Sequence, residues 1–266
     1  MNLIENIIYS FTFLTNKYVG FRITEYILNW YENRMINKYL SRKEIKPINI
    51  PTIQANELTN DNFIKLSNNY RNPILIKGYM KDTKAVLEWD EKYLQNIIGD
   101  FNVNILHKNE KLSVENYTFN NFVDNMKSKD IYINNNHTIL SNFPILFDDI
   151  KTQFNNLINT LTSTNLRNIH IANLFIGYNQ KDKVTGSNMH CGGSGNFFCM
   201  ISGQKHWTLI DPKYSCLLKG RVAQSGIHAQ TLFDMPDTNL STYPTILNHL
   251  PRYDITLEPG DILWNA

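Results

Sequence analysis

The sequence contains few cysteines and no long apolar run, and both shortages narrow the classes of protein to consider. Three cysteines occur, Cys191, Cys199 and Cys216, and no Cys-x-x-Cys pair is present. A disulfide framework or a zinc knuckle is therefore not expected, and a reducing intracellular compartment such as the cytoplasm fits this cysteine usage. Because no run of about eighteen apolar residues exists, we also expect no membrane span.

A strong excess of one charge is also missing. The 266 residues carry a formal net charge of +2, and the sequence pI is about 8.3. The basic clusters at 42–46 and 127–129 are short, which is typical of a solvated surface. We therefore expect no nucleic-acid partner. No internal repeat is detectable.

Two amphipathic helices are predicted at the N-terminus, within residues 1–45, with Gly20 between them. Apolar residues recur at three- and four-residue spacing, first over 3–14 and then over 23–40. We favour packing of these apolar stripes on the rest of the chain. A homodimer contact and attachment to a membrane surface are the alternatives. Two prolines then predict an extended linker over 41–51.

The remaining residues, 46–266, are predicted to form one domain in which β-structure dominates. Short helices and strands alternate first: a helix capped by Thr59 or Asn60, a strand at 72–79, a helix at 83–99, a strand at 101–107, a helix within 117–128 and a strand at 131–134. From about residue 166, short strands are separated by Gly, Pro and Asn turns, as in a jelly roll. The predicted fold class is mostly β with α, a double-stranded β-helix (jelly roll) preceded by N-terminal helices.

The stretch SNMHCGGSGNFFCMISGQKHWTLIDP, residues 187–212, carries the candidate chemistry. In an extended strand Lys205 shares a face with Trp207 and Leu209, and Asn196 shares a face with Phe198. A lysine among apolar side chains is costly unless an anion meets it. This pattern predicts the lining of a small-molecule pocket.

The segment from ANLFIGYN to HWTLIDP (172–212), followed by ITLEPGDILWNA (255–266), resembles the cupin-like/JmjC branch of the Fe(II)- and 2-oxoglutarate-dependent oxygenases. Loosely, the resemblance covers residues 50–266. The branch includes the asparaginyl hydroxylase of hypoxia-inducible factor, and its substrates are often polypeptides. The resemblance implies a cupin fold, with ferrous iron and 2-oxoglutarate as cofactors.

Five residues match positions of that family's site. His190 resembles the first iron-binding histidine, and Lys205 resembles the lysine that binds the far carboxylate of 2-oxoglutarate. Ser187 lies where a supporting hydroxyl is usual, Asn196 resembles a second polar residue of the pocket, and Tyr132 resembles a pocket tyrosine. From spacing alone, a polar residue at a strand end is the favoured interpretation of His190, and only the family match makes a metal ligand an equal alternative. For Lys205 the pocket role is favoured, and the alternative is a surface lysine after a turn.

Two positions depart from the family pattern. Gly192 stands where the family has its carboxylate ligand, in an His-x-Gly instead of an His-x-Asp motif. The family's second histidine follows the Pro-Gly-Asp turn by roughly ten residues, whereas only five residues follow Asp261 here. We therefore expect the sequence to be incomplete at its C-terminus. Asp261 itself is interpreted as a turn residue that orders the next strand.

Three functional hypotheses stay open at this point. The first is a protein or peptide hydroxylase of the oxygenase type, with an atypical iron site. The second is a catalytically degenerate cupin-fold binding module without metal. The third is a scaffold that docks through its N-terminal helices.

Overall fold

The structure, a computed structural model, describes residues 3–19, 22–107, 114–161, 172–179, 189–192, 195–222, 228–231 and 245–265. Within these ranges the α-helices are α1 (Leu3–Val19), α2 (Arg22–Leu40), α3 (Asn60–Leu66), α4 (Lys84–Glu88), α5 (Glu91–Ile98), α6 (Phe119–Met126), α7 (Thr138–Asn142) and α8 (Pro144–Leu161). Short 3₁₀ helices span Ala55–Glu57, Pro212–Leu218 and Thr245–His249. Gly20 and Ser187, two positions with a predicted role, lie outside the described residues.

The strands are short, as the turn-rich sequence predicts. They are β1 (Thr52–Gln54), β2 (Ile74–Lys77), β3 (Asn102–His107), β4 (Val114–Thr118), β5 (Ile131–Asn136), β6 (Leu174–Gly177), β7 (His190–Gly192), β8 (Asn196–Cys199), β9 (Lys205–Ile210), β10 (Gly220–Val222), β11 (His228–Thr231), β12 (Arg252–Leu257) and β13 (Ile262–Asn265). Most strand pairs are antiparallel, whereas β1 and β2 are parallel.

Local capping explains where α3 and α5 begin. The Thr59 side chain accepts a hydrogen bond from the Asn62 N–H at 3.2 Å, which confirms Thr59 as the N-cap of α3. The prediction of one helix over 83–99 is wrong. The Asp90 carboxylate accepts a hydrogen bond from the Tyr93 N–H at 2.7 Å, so Asp90 starts α5 as a separate helix after α4.

The chain folds into two compact units. The first unit contains residues 1–49, 186–195 and 207–255. Its described elements include α1, α2 and a sheet with the strand order β10–β11–β7. One face of α2 and the 3₁₀ helices Pro212–Leu218 and Thr245–His249 contribute to one apolar core, formed by Tyr9, Leu28, Tyr31, Met35, Tyr39, Cys216, Leu217, Ile246 and Leu250.

The predicted packing of the first N-terminal stripe is wrong. Ile4, Ile7 and Phe11 are exposed, whereas Tyr9 and Thr12 of the same helix are buried. In α2 most apolar residues toward the C-terminal end are buried, whereas most of those toward the N-terminal end are exposed. Helical periodicity therefore located the helices, but it did not identify their buried faces.

The second unit contains residues 50–185, 196–206 and 256–266. It holds two four-stranded sheets, with the strand orders β4–β3–β5–β6 and β1–β2–β13–β8. One apolar cluster covers one face of the first sheet, and a second cluster joins β2 and β13 to α3 and α8. Strand β9 pairs with β12, and the boundary between the units falls within both strands. Helices together with mostly antiparallel sheets agree with the predicted fold class; the domain boundary at residue 45 stays a prediction.

Candidate functional site

Lys205 begins β9 and lies against an aromatic ring. Its Nζ is 5.1 Å from the ring centroid of Phe198 on β8, a cation–π distance. Burial lowers the pKa of Lys205, because desolvation disfavours the charged ammonium. The side chain is half-buried. A cation in this environment gains from an anionic ligand more than a solvated surface lysine does.

The aromatic surface beside Lys205 continues onto the neighbouring sheet. The rings of Phe198 and Phe175 are 6.2 Å apart, and Phe175 lies on β6. Leu174 and Ile176 of β6 pack on the apolar core, so Phe175 and Gly177 face the opposite side. Phe175 was not predicted as a site residue, although the alternation in Leu-Phe-Ile-Gly was a usable signal.

Tyr132 belongs to the same face of this sheet. It lies on β5 directly opposite Gly177 of β6, and a Cβ at Gly177 would be only 3.2 Å from the Tyr132 Cβ. Burial raises the pKa of Tyr132, so its phenol stays protonated near neutral pH and keeps a hydroxyl donor. The Phe175 side chain shares this face with Gly177.

Asn196 begins β8, two residues before Phe198. It is exposed, and it lies opposite Asn265 of β13 in the antiparallel register. Alternation along the strand puts Asn196 and Phe198 on one face, as the sequence pattern predicts. Three of the predicted site residues belong to the second unit: Tyr132, Asn196 and Lys205.

His190 belongs to the first unit and is described separately. It begins β7, is exposed, and lies opposite Gln230 of β11. Gly192 pairs with His228 in the same register. A shared cavity between His190 and Lys205 stays a prediction. Within the described ranges, no cluster of three or more His, Cys, Asp or Glu side chains is suited to hold a metal ion.

Two other histidines have structural partners. His249 ends the 3₁₀ helix Thr245–His249, is buried, and its Nδ1 is 2.8 Å from the Arg42 carbonyl oxygen. His206 on β9 has its Nδ1 3.2 Å from the Thr256 hydroxyl on β12. Neither contact points to catalysis.

Asp261 is a buried turn residue, which confirms the interpretation from sequence. Its carboxylate accepts hydrogen bonds from the backbone N–H groups of Gly78 and Glu258, each at 3.0 Å. It also lies 2.9 Å from the ammonium of Lys77. These contacts hold the turn before β13 against the end of β2. Asp261 therefore has a complete structural role without participating in chemistry.

Replacing Asp261 with alanine should lower the free energy of unfolding by about 2–4 kcal/mol, because two backbone N–H groups lose their acceptor. Urea denaturation followed by circular dichroism measures this loss. The control is Glu258→Ala: the Glu258 side chain is 56% exposed, and its carboxylate is 3.2 Å from the Lys77 ammonium. We expect less than about 1 kcal/mol there. Equal losses in both variants would contradict the assigned role.

Two cavities of the second unit lie away from the predicted residues. One of about 250 Å³ is lined by α8, around Asp149, and by the residues 82–84 at the start of α4. The Asp149 carboxylate accepts hydrogen bonds from Trp89 Nε1 at 2.8 Å and from the Tyr93 hydroxyl at 2.6 Å. Burial opposes ionisation of Asp149, but these donors and Lys84 outweigh it and lower its pKa. The partners account for this carboxylate structurally.

None of the helices in the described ranges combines the length and apolarity that a bilayer crossing requires.

Comparison with known proteins gives one family. Residues 61–265 match the cupin-like domain, and no curated protein matches the chain. This match covers well over half of the sequence and includes every strand from β2 to β13. The chain therefore belongs to the cupin-like domain family.

Proposed function

We propose that this cupin-like protein binds 2-oxoglutarate through Lys205 and is an oxygenase-type hydroxylase of a protein or peptide. The half-buried ammonium of Lys205 against the Phe198 ring carries the proposal. A carboxylate paired with this cation would offset the desolvation that lowers its pKa. Asn196 and the Tyr132 hydroxyl supply polar groups for orienting the ligand, and Ser187 is proposed as a supporting hydroxyl.

Ferrous iron is the second cofactor of this proposal. His190 is the proposed metal ligand, and iron of this oxygenase type uses two histidines and one carboxylate. Gly192 has no side chain to offer at the carboxylate position, so the described residues alone do not fit a three-ligand iron site. Metal binding would require donors from outside the described ranges. Bound iron would supply the oxidising chemistry of the reaction.

The resemblance to the asparaginyl hydroxylase of hypoxia-inducible factor supports a polypeptide substrate. The aromatic face beside Lys205 suits such a substrate, because Phe175 is 46% exposed. Exposed aromatic side chains add contact area at binding surfaces. Phe175 contacts Phe198, so the exposed aromatic surface extends to the proposed carboxylate site.

A second candidate function is a metal-free binding module that retains the carboxylate site. Gly192 favours this candidate, since it removes a ligand that the chemistry of iron needs. Lys205 has the same role in both candidates. The two therefore differ in metal binding and turnover, but they agree in ligand binding.

Calorimetric titration with 2-oxoglutarate and with Co²⁺ or anaerobic Fe²⁺, combined with an assay for succinate, separates these candidates. The hydroxylase should bind about one metal ion per chain and convert 2-oxoglutarate to succinate, and His190→Ala should abolish both. The binding module should bind 2-oxoglutarate without metal and form no succinate. Absence of 2-oxoglutarate binding, with and without metal, would refute the Lys205 site and both candidates.

A further inference from the structure

Helices α1 and α2 expose a large apolar surface. In α1 the exposed apolar residues are Ile4, Ile7, Ile8, Phe11, Leu14 and Tyr18. In α2 they include Ile23, Tyr26, Ile27 and Trp30. We call these ten residues the outer helical face. The three largest exposures are those of Tyr18 at 74%, Phe11 at 72% and Tyr26 at 72%.

The outer helical face is separate from the surface that packs on the core. Successive residues of an α-helix are rotated by about 100°, so Phe11 lies about 200° from the buried Tyr9, on the opposite side of α1. The same rotation separates the exposed Trp30 from the buried Leu28 in α2. Each helix thus has one apolar face toward the core and a second one toward solvent.

Contacts between α1 and α2 hold the two helices together. The Lys38 ammonium forms an ion pair with the Glu5 carboxylate at 2.9 Å. The Glu5 carbonyl oxygen accepts a hydrogen bond from the Tyr31 hydroxyl at 3.0 Å. The rings of Tyr9 and Tyr31 are stacked with centroids 6.2 Å apart. The outer helical face therefore lies on a paired-helix scaffold, which lowers the ordering cost of binding.

The size of this face suits a protein interface. A standard interface buries about 800 Å² per partner. Ten large side chains, the least of them 42% exposed, present on the order of 1,000 Å². Four of the ten are aromatic, and aromatic side chains are enriched at the centres of protein interfaces. An apolar surface of this extent is unusual on a monomer.

The charges around the face favour a protein partner over a lipid surface. Residues 1–41 contain four basic residues, at 17, 22, 34 and 38, and three acidic residues, at 5, 25 and 32. The net charge of this segment is therefore only +1, whereas segments that bind anionic lipids carry clusters of basic residues. In α2 the flanking exposed residues Arg22, Glu25 and Arg34 carry both signs. A surface of mixed sign can meet a copy of itself without strong repulsion.

We propose that the outer helical face is the contact between two copies of this chain, related by two-fold symmetry. A two-fold contact uses the same patch on both subunits, so it needs a surface that is complementary to itself. An apolar face with a rim of both charges meets that requirement. The interface uses neither Lys205 nor His190, so this proposal stands independently of the proposed 2-oxoglutarate site.

Analytical ultracentrifugation over a range of concentrations tests the dimer. The double variant Phe11→Glu/Trp30→Glu should raise the dimer dissociation constant by about 100-fold or more, because each dimer would bury four carboxylates. The matched control is Leu87→Glu, which replaces an apolar residue that is 70% exposed on α4. The control should dimerise like the wild type. Circular dichroism checks that all three proteins remain folded.

Three results would overturn the proposal. One is a wild-type protein that stays monomeric at its highest soluble concentration. Another is a dimer that the double variant leaves unchanged while it remains folded. The third is a monomer that co-sediments with phosphatidylcholine vesicles and loses this binding in the double variant, which would assign the face to a lipid surface.

Discussion

Replacing Lys205 with methionine should lower the affinity of this protein for 2-oxoglutarate by roughly 10- to 100-fold. Methionine retains an unbranched apolar stem against the Phe198 ring but removes the cation that pairs with the ligand carboxylate. Calorimetric titration measures the affinity directly, and ligand-induced thermal stabilisation measures it independently.

The matched control is Lys213→Met, because that ammonium is exposed and pairs with Asp211 at 2.7 Å. This variant should bind 2-oxoglutarate like the wild type. An equal loss in both lysine variants would show that the ligand responds to overall charge and not to a site at Lys205.

The pH profile gives a second readout for the same residue. Burial lowers the pKa of Lys205, so the ammonium is lost at a lower pH than that of a solvated lysine as the pH rises. As the pH rises, the affinity of the wild type should therefore begin to decline at a lower pH than it would if Lys205 had the pKa of an ordinary lysine, about 10.4. Lys205→Arg should remove this decline, because a guanidinium remains charged up to about pH 12.

Replacing Arg221 with methionine should lower the free energy of unfolding by about 3–5 kcal/mol, the second large effect that we expect. Its guanidinium forms two hydrogen bonds to the Glu32 carboxylate, at 2.7 and 2.8 Å, and a third to Asn29 at 3.1 Å. Glu32 is fully buried in α2. Without Arg221 its negative charge stays buried without its cation, which is strongly unfavourable. Urea denaturation monitored by circular dichroism measures the loss.

The electrostatics of the pair favour the charged form of Arg221. Burial works against the charged guanidinium, but the hydrogen bonds and the charge of Glu32 outweigh it, so the pKa of Arg221 is raised. The double variant Arg221→Met/Glu32→Met should recover most of the lost stability, because no buried charge remains. Lys213→Met, which breaks an exposed pair, should cost less than about 1 kcal/mol. A double variant as unstable as Arg221→Met would show that packing, not charge, causes the loss.

Local sequence was sufficient to predict features that depend on residues close together in the chain. Thr59 caps α3 through a residue only three positions away, and strand alternation predicts that Asn196 and Phe198 share a face. Local sequence was insufficient for 83–99, where both α4 and α5 have helical periodicity. The break depends on Asp90 capping the second helix, which competes with continuation of the first.

The proposed carboxylate site also has one feature that local sequence predicts and another that it does not. The short spacing between Phe198 and Lys205 allows a local argument that a lysine lies among apolar side chains. The position of Phe175 and Tyr132 could not be derived in this way, because the sheet that contains both strands assembles from distant segments. Which residues meet at the site is therefore a property of strand order and register.

The sequence by itself determined that Gly192 offers no carboxylate, that the N-terminal helices are amphipathic, and that Lys205 lies in a strand with apolar neighbours. Such properties follow from side-chain chemistry and from spacing within one element. Only the tertiary structure decided that the Lys205 ammonium lies against Phe198, and that Arg221 pairs with Glu32, 189 residues away. It also decided which apolar face of α1 is buried. The physical reason is that burial and pairing depend on which distant elements pack together, whereas periodicity only reports that an apolar face exists.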